Sequence, residues 1–194
     1  RIALLSSFTI NGLEETLRVL CFQNKIDCKT YVGNYNQYNQ EILNKDSKLY
    51  KFKPNITVLI FDTRNFLGDL FFSPYAISSK KRSDFVNNKT VEIQELVNTF
   101  SKNSESKLII SNLAIPTYSP YGIYEAKADF GLQTMVTKFN ENLIQFSKNN
   151  QSIYLYNFNQ FVTKYGEQNV FDYKQYFLGD VKISTNYIPS FGNE

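Results

Sequence analysis

The chain has 194 residues, of which 42% are hydrophobic, 20% charged and 16% aromatic, a core-forming composition that excludes a disordered or fibrous protein. Its 21 basic and 18 acidic residues leave a net charge of +3, too balanced for a nucleic-acid-binding surface. It contains no histidine, which excludes Ser-His-Asp and Cys-His catalysis, a histidine general base and histidine-ligated zinc from this chain alone.

Arg1-Ile2-Ala3-Leu4-Leu5 is a short continuous apolar run, the pattern of a strand buried on both faces. After a Ser6-Ser7-Phe8-Thr9 turn, Leu13, Leu17, Leu20 and Cys21 mark one helix face, with Asn11 as the expected cap and Glu14-Glu15 in the first turn. Lys29 to Val32 reads as a second strand, ended by Gly33-Asn34, and residues 35–52 are polar and helix-compatible. Ile56 to Phe61 is the strongest strand and closes on Asp62-Thr63-Arg64-Asn65. Residues 66–82 are aromatic and then basic, a long loop with a short helix, and Ser83 is the expected cap of a helix carrying Val86, Ile93, Leu96, Val97 and Phe100. The Lys80-Lys81-Arg82 run reads as a solvated face.

Lys107 to Asn112 is the fourth strand, and a second long loop through Pro116 to Tyr121 follows. Leu132, Met135, Val136, Phe139, Leu143 and Phe146 carry the cleanest helical period. Ile153 to Tyr156 is the fifth strand, and the remainder to Glu194 is aromatic and irregular. Five alternations of buried-type strand and helix predict a three-layer α/β/α doubly wound parallel sheet, in the order 2-1-3-4-5, with residues 1–194 forming one domain.

Two cysteines cannot make a cysteine-rich metal site, and Cys21 and Cys28 are expected to be small core residues without a disulfide. No apolar run is long enough to cross a membrane and no signal-like segment is visible, so a cytoplasmic protein is expected, and one that is a piece of a longer polypeptide.

In such a sheet, ligands bind beyond the carboxyl ends of the strands. The loops there run from Ser6 to Thr9, Asp62 to Asn65, Asn112 to Tyr121 and Asn157 to Gln160. No glycine-rich phosphate cradle of either common type occurs, which removes nucleotide binding by those routes. The ligand-binding candidates are Ser6, Ser7, Thr9, Asp62, Arg64, Asn65 and Asn112. Arg64 can clamp a carboxylate or phosphate, or pair with Asp62 to fix its loop; the serines and Thr9 can offer a hydroxyl nucleophile, or satisfy backbone groups at a helix entrance.

The Leu4 to Thr9 turn, the Tyr31-Val32-Gly33-Asn34-Tyr35-Asn36-Gln37-Tyr38 segment, the Ser47 to Pro54 stretch and the Asp62 to Asn65 turn resemble the N-terminal domain of FkbH-like proteins, of HAD superfamily subfamily IIIC. The resemblance spans essentially the whole chain, and Gly33 to Tyr38 is its most specific part. It implies an SGNH (GDSL-like) hydrolase fold followed by a downstream HAD domain, which in glyceryl-transferring members uses magnesium and loads a three-carbon unit onto an acyl carrier protein. The downstream domain and a carrier protein are thus the implied partners, with no nucleic acid and no membrane. No D-x-D-x-T run is present, so neither magnesium nor any other cofactor is expected on these residues.

Active SGNH hydrolases need a Gly-Asp-Ser block after the first strand. Here it reads Ser6-Ser7-Phe8 in the register that keeps Gly12, and a shift by one puts Thr9 at the nucleophile position. Their Gly-x-Asn-Asp block is matched by Asp62 to Asn65, with Arg64 at the oxyanion asparagine, and their Asp-x-x-His block by Asp180-Val181-Lys182-Ile183. The resemblance therefore implies a degenerate hydrolase, a non-catalytic accessory domain that helps place a substrate or carrier. The alternatives are an esterase or acyl transferase using Thr9 or Ser7 with Lys182 or Asp180 as base, and a small-anion module centred on Arg64.

Overall fold

The computed structural model describes residues 1–194. Five strands, β1 (Ile2–Ser6), β2 (Thr30–Val32), β3 (Ile56–Ile60), β4 (Lys107–Ser111) and β5 (Ile153–Tyr156), form one sheet in the order β2-β1-β3-β4-β5. Every pairing is parallel, as the alternation with helices requires, and the order reverses between β1 and β3.

The pleat divides the core. Ala3, Leu5, Leu59, Leu108 and Ile110 face one side, where α5 (Ser79–Asn103) presents Val86, Ile93, Val97 and Phe100 and α6 (Leu132–Lys148) presents Met135, Val136, Phe139 and Leu143. Leu4 and Ile60 face the other, against Leu13 of α1 (Leu13–Gln23), Phe158, Phe161 and Val162 of α7 (Phe158–Tyr165) and Phe191 near the chain end. This second layer is thin over the strand beginnings, where Ile56 is 37% and Tyr154 53% exposed.

Local chemistry moves several expected boundaries. The cap of α1 is Gly12 in the left-handed region, φ 86°, and not Asn11; no side chain caps this helix. Ser78, which accepts the Lys81 amide, starts α5 one turn before Ser83. The basic run therefore lies inside the helix. Arg82 is not solvated but buried, donating to the carbonyls of Pro74, Ile77, Asp129 and Phe130 and so tying together the segments that flank α5 and α6. Asp62 to Asn65 is a helix entrance: Asp62 accepts the Asn65 amide at 3.0 Å and opens α4 (Thr63–Leu67). Residues 35–52 hold two short helices, α2 (Tyr38–Leu43) and α3 (Lys48–Phe52).

The stretch expected to be irregular folds into α7, α8 (Glu167–Val170), α9 (Tyr173–Gly179) and α10 (Ile188–Asn193). Each is too short to show a helical period in sequence, and their aromatic side chains pack on one another through Phe158, Phe161, Phe171 and Phe191. Cys21 and Cys28 are free thiols, only half-buried, because the end of α1 stands out from the core with Phe22 82% exposed.

Candidate functional site

The carboxyl ends of β1 and β3 meet at a turn whose polar groups are bonded to one another. The Ser7 amide donates to the Ile60 carbonyl at 3.0 Å, and the Ser7 hydroxyl accepts the Asp62 amide at 2.7 Å. The Asn65 side chain donates to the Ser7 carbonyl at 2.5 Å, and the Ser6 hydroxyl accepts the Phe8 amide at 3.1 Å. Ser6 and Ser7 are both buried. These are helix-entrance bonds that hold β1 against β3.

Above this turn the C-terminal segment returns to the sheet. Thr9 and Val181 form a parallel bridge, Phe171 and Ile183 an antiparallel one, and the Thr9 hydroxyl donates to the Gly179 carbonyl at 3.3 Å. The Val181-Lys182-Ile183 triplet is locally extended, which sends Lys182 inward. Its Nζ stands 2.5 Å from Asp62 Oδ1, and the Tyr176 hydroxyl donates to both Asp62 oxygens, at 2.8 and 2.7 Å. Asp62 is 0% and Lys182 2% exposed. Burial alone would raise the Asp62 carboxyl, but the Lys182 charge and the bonds from Lys182, Tyr176 and Asn65 reverse this and hold it below the ordinary carboxylate range. Burial and the Asp62 charge push the Tyr176 phenol far up, so it remains a donor. Phe171 packs against the ammonium at 4.3 Å from its ring centre.

Arg64 belongs to a second pair. Its guanidinium bridges to Asp180, lies over the rings of Tyr176 at 4.1 Å and Phe177 at 5.2 Å, and borders a shallow cleft with Thr9 and Tyr35. Asp180 also accepts the Tyr35 hydroxyl and adopts φ 53°, a left-handed turn that short polar side chains tolerate. Tyr35 thus links the Gly33 to Tyr38 segment to the C-terminal return. The expected Asp62–Arg64 pair does not form, because Asp62 faces inward to Lys182 while Arg64 leaves the first turn of α4 on the other side.

Asn112 lies apart from both pairs. Its amide donates to Asn157 Oδ1 at 2.8 Å and its oxygen accepts the Asn159 amide at 3.0 Å, joining the end of β4 to the start of α7. Of the candidates, Ser6, Ser7, Asp62 and the half-buried Asn65 come together in one cluster, Thr9 and Arg64 share the shallow cleft, and Asn112 is remote from either.

The loop after β4 lines a different feature, a cavity of about 440 Å³. Thr63, Tyr176 and Lys182 form its inner end, and Phe71, Phe72, Ile115, Pro116, Phe171 and Phe177 are among its walls. None of Ser6, Ser7, Thr9, Arg64, Asn65 or Asn112 lines it. Lys182 is the residue that sequence reasoning placed least well: it was a candidate base, yet it is the buried counter-ion of Asp62. An aspartate directly after the apolar run Val58 to Phe61 was the available signal, since such a carboxylate needs a cation nearby.

The family described as FkbH, N-terminal domain, matches residues 1–194. Among solved structures, the chain is similar to the N-terminal part of the protein BF1531 from Bacteroides fragilis, described as containing a phosphatase domain complexed with Mg, at 20% identity and a TM-score of 0.81, covering 98% of this chain and 49% of that one. It is also similar to the lipase Lip_vut3 from a goat rumen metagenome (12% identity, TM-score 0.72, 99% and 93% covered) and to a lipase/acylhydrolase from Enterococcus faecalis (10% identity, TM-score 0.59, 99% and 91% covered). At these identities the likeness shows a common fold, the SGNH-hydrolase-like α/β architecture, and the chain spans about half the length of the solved Bacteroides chain. No curated protein matches.

Proposed function

The chain belongs to the FkbH N-terminal domain family, and from that premise we propose that it is a non-catalytic SGNH-like domain that helps place a substrate or carrier protein for a downstream HAD-type domain. The observation that carries this reading is the buried Asp62–Lys182–Tyr176 cluster at the strand ends, where a hydrolase keeps its reacting groups. The Ser7 hydroxyl beside it is buried and accepts the Asp62 amide, and Lys182 is held as a counter-ion instead of standing free as a base. Thr9 is bonded to the Gly179 carbonyl. No three Cys, Asp or Glu side chains converge in this chain, and the reading places metal-dependent chemistry on the downstream part. The architecture is kept while the hydroxyl, the base and the oxyanion amide are replaced or enclosed. Losing a general base alone costs about 10²- to 10⁴-fold in rate.

The test is hydrolysis of p-nitrophenyl acetate and p-nitrophenyl octanoate. The protein is expected to release nitrophenol no faster than the protein-free solution. Turnover that disappears in Ser7→Ala or Thr9→Ala would establish an esterase or acyl transferase in place of the accessory domain.

A further inference from the structure

We propose that the cavity of about 440 Å³ between the β3 and β4 loops and the C-terminal return holds the saturated, medium-length acyl chain of a neutral ester or thioester. The inference rests on the non-catalytic reading above and names the group the domain would hold. The volume falls within the range of about 300–1,000 Å³ that small-molecule sites occupy.

The chemistry of the lining selects the occupant. Walls of Phe71, Ile115, Pro116, Phe171 and Phe177 offer apolar surface and ring edges. Apart from the exposed Tyr118, the polar side chains among them are already bonded within the protein. Thr63 donates to the Ala114 carbonyl at 2.7 Å, Tyr173 donates to Glu167, and Tyr176 and Lys182 serve Asp62. The inner end is therefore electrically neutral despite its lysine, and an anion that entered would lose its water without meeting an unpaired positive charge. A phosphorylated three-carbon unit is disfavoured in such a place, and the apolar walls suit an alkyl chain.

The mouth fixes the sign of the other end. Glu167 is the one charged lining side chain without an ion pair; its oxygens take the Tyr173 hydroxyl and, at 3.1 Å, the Thr117 amide. A free carboxylate would sit beside this charge, whereas an ester or thioester carbonyl carries none. Phe72 and Phe177, 53% and 54% exposed, form an apolar rim that such a ligand would cover.

The experiment is a calorimetric titration of the protein with S-acyl-N-acetylcysteamine thioesters from butanoyl to decanoyl, each beside its free acid, with glycerol 3-phosphate as the polar control. Affinity is expected to rise about fourfold per added methylene until the cavity is full. Each thioester should bind more tightly than its acid, and glycerol 3-phosphate should give no heat. Ile115→Trp places bulk in the cavity and is expected to weaken the octanoyl thioester about tenfold. Phe177→Ala, at an exposed position where folding is not at risk, should weaken it about threefold. A flat chain-length series, acids that bind as well as thioesters, or unchanged affinity in Phe177→Ala and in a folded Ile115→Trp would overturn the assignment. Thiol release during the titration would instead refute the non-catalytic reading and leave acyl binding standing.

Discussion

Lys182→Met isolates the electrostatic centre of the fold. Methionine keeps the length and apolar stem of lysine among Phe158, Phe171 and Tyr176 and removes only the charge. The Asp62 carboxylate, 0% exposed, then keeps Tyr176 and the Asn65 amide but loses its cation. Removing one partner of a buried pair costs about 3–5 kcal/mol, which in a chain of this size lowers Tm by about 6–20 °C. The pH dependence gives the loss its signature. With Lys182 present, the folded pKa of Asp62 lies below its unfolded value of 3.8, so its stabilisation is complete above that value and is lost as pH falls through the folded one. Without Lys182, burial is no longer opposed by an adjacent charge and moves the folded pKa upward. The variant must then expel or protonate a buried carboxylate, and its deficit shrinks as pH falls from about 7 to about 5. Urea denaturation at both pH values measures the difference. Asp62→Asn combined with Lys182→Met keeps a neutral cap and a Tyr176 partner and should recover most of the loss. A deficit in Lys182→Met below about 1 kcal/mol at neutral pH, or one equal at both pH values, would refute the account.

Arg64→Ala removes the Asp180 bridge and the stacking on Tyr176 and Phe177; a loss of about 1–2 kcal/mol is expected in thermal melts, and phosphorylated three-carbon acids should give no heat with either protein. Asn140→Leu leaves the Leu113 amide and carbonyl unpaired in the core, where Asn140 meets them at 2.9 and 2.8 Å, and should cost about 2–4 kcal/mol in urea unfolding. Arg82→Lys cannot reproduce a fork that reaches four carbonyls and should make residues 118–130 a preferred site of limited proteolysis. The Tyr75 phenol, pushed up to about 12 by burial and by Glu125, should share with Tyr38 an ultraviolet ionisation step near that pH whose amplitude Tyr75→Phe lowers. Burial opposes ionisation of Glu125, but bonds from Ser119, Tyr75 and the Gln133 amide hold its pKa below 4.5, so its stabilisation fades as pH falls through the folded value, and less so in Tyr75→Phe.

The sheet was legible because its information is local. Ile56 to Ile60, interrupted only by Thr57, and Ile153 to Tyr156 are short apolar and aromatic runs, and crossover handedness then leaves few strand orders. The long α5 and α6 carry their period over many turns. The C-terminal helices do not: α8 has 4 residues and α10 has 6, so nothing periodic can accumulate, and their helicity comes from packing. Arg82 failed for a related reason. A basic run beside a helix start reads as solvated, and the carbonyls of Asp129 and Phe130 that bury it lie 47 and 48 residues away.

The candidate site shows where such reasoning stops and which physical question extends it. Sequence placed Asp62, Ser7 and Lys182 near the strand ends but assigned them by residue type, as ligand contact or partner of Arg64, nucleophile and base. Their roles depend on who neutralises whom, and Asp62 meets Lys182 across 120 residues. An aspartate that follows the four apolar residues Val58 to Phe61 enters the protein with a charge that must be met, and Arg64, which opens outward from a helix turn, cannot meet it. The remaining place to look is a cation flanked by apolar residues in an extended segment, where alternation turns it inward, and Val181-Lys182-Ile183 is such a triplet. Once Lys182 is committed to Asp62, the same residue can be neither a free base nor an anion clamp. The neutral end of the cavity then follows from the pairing, and with it the preference for an uncharged chain.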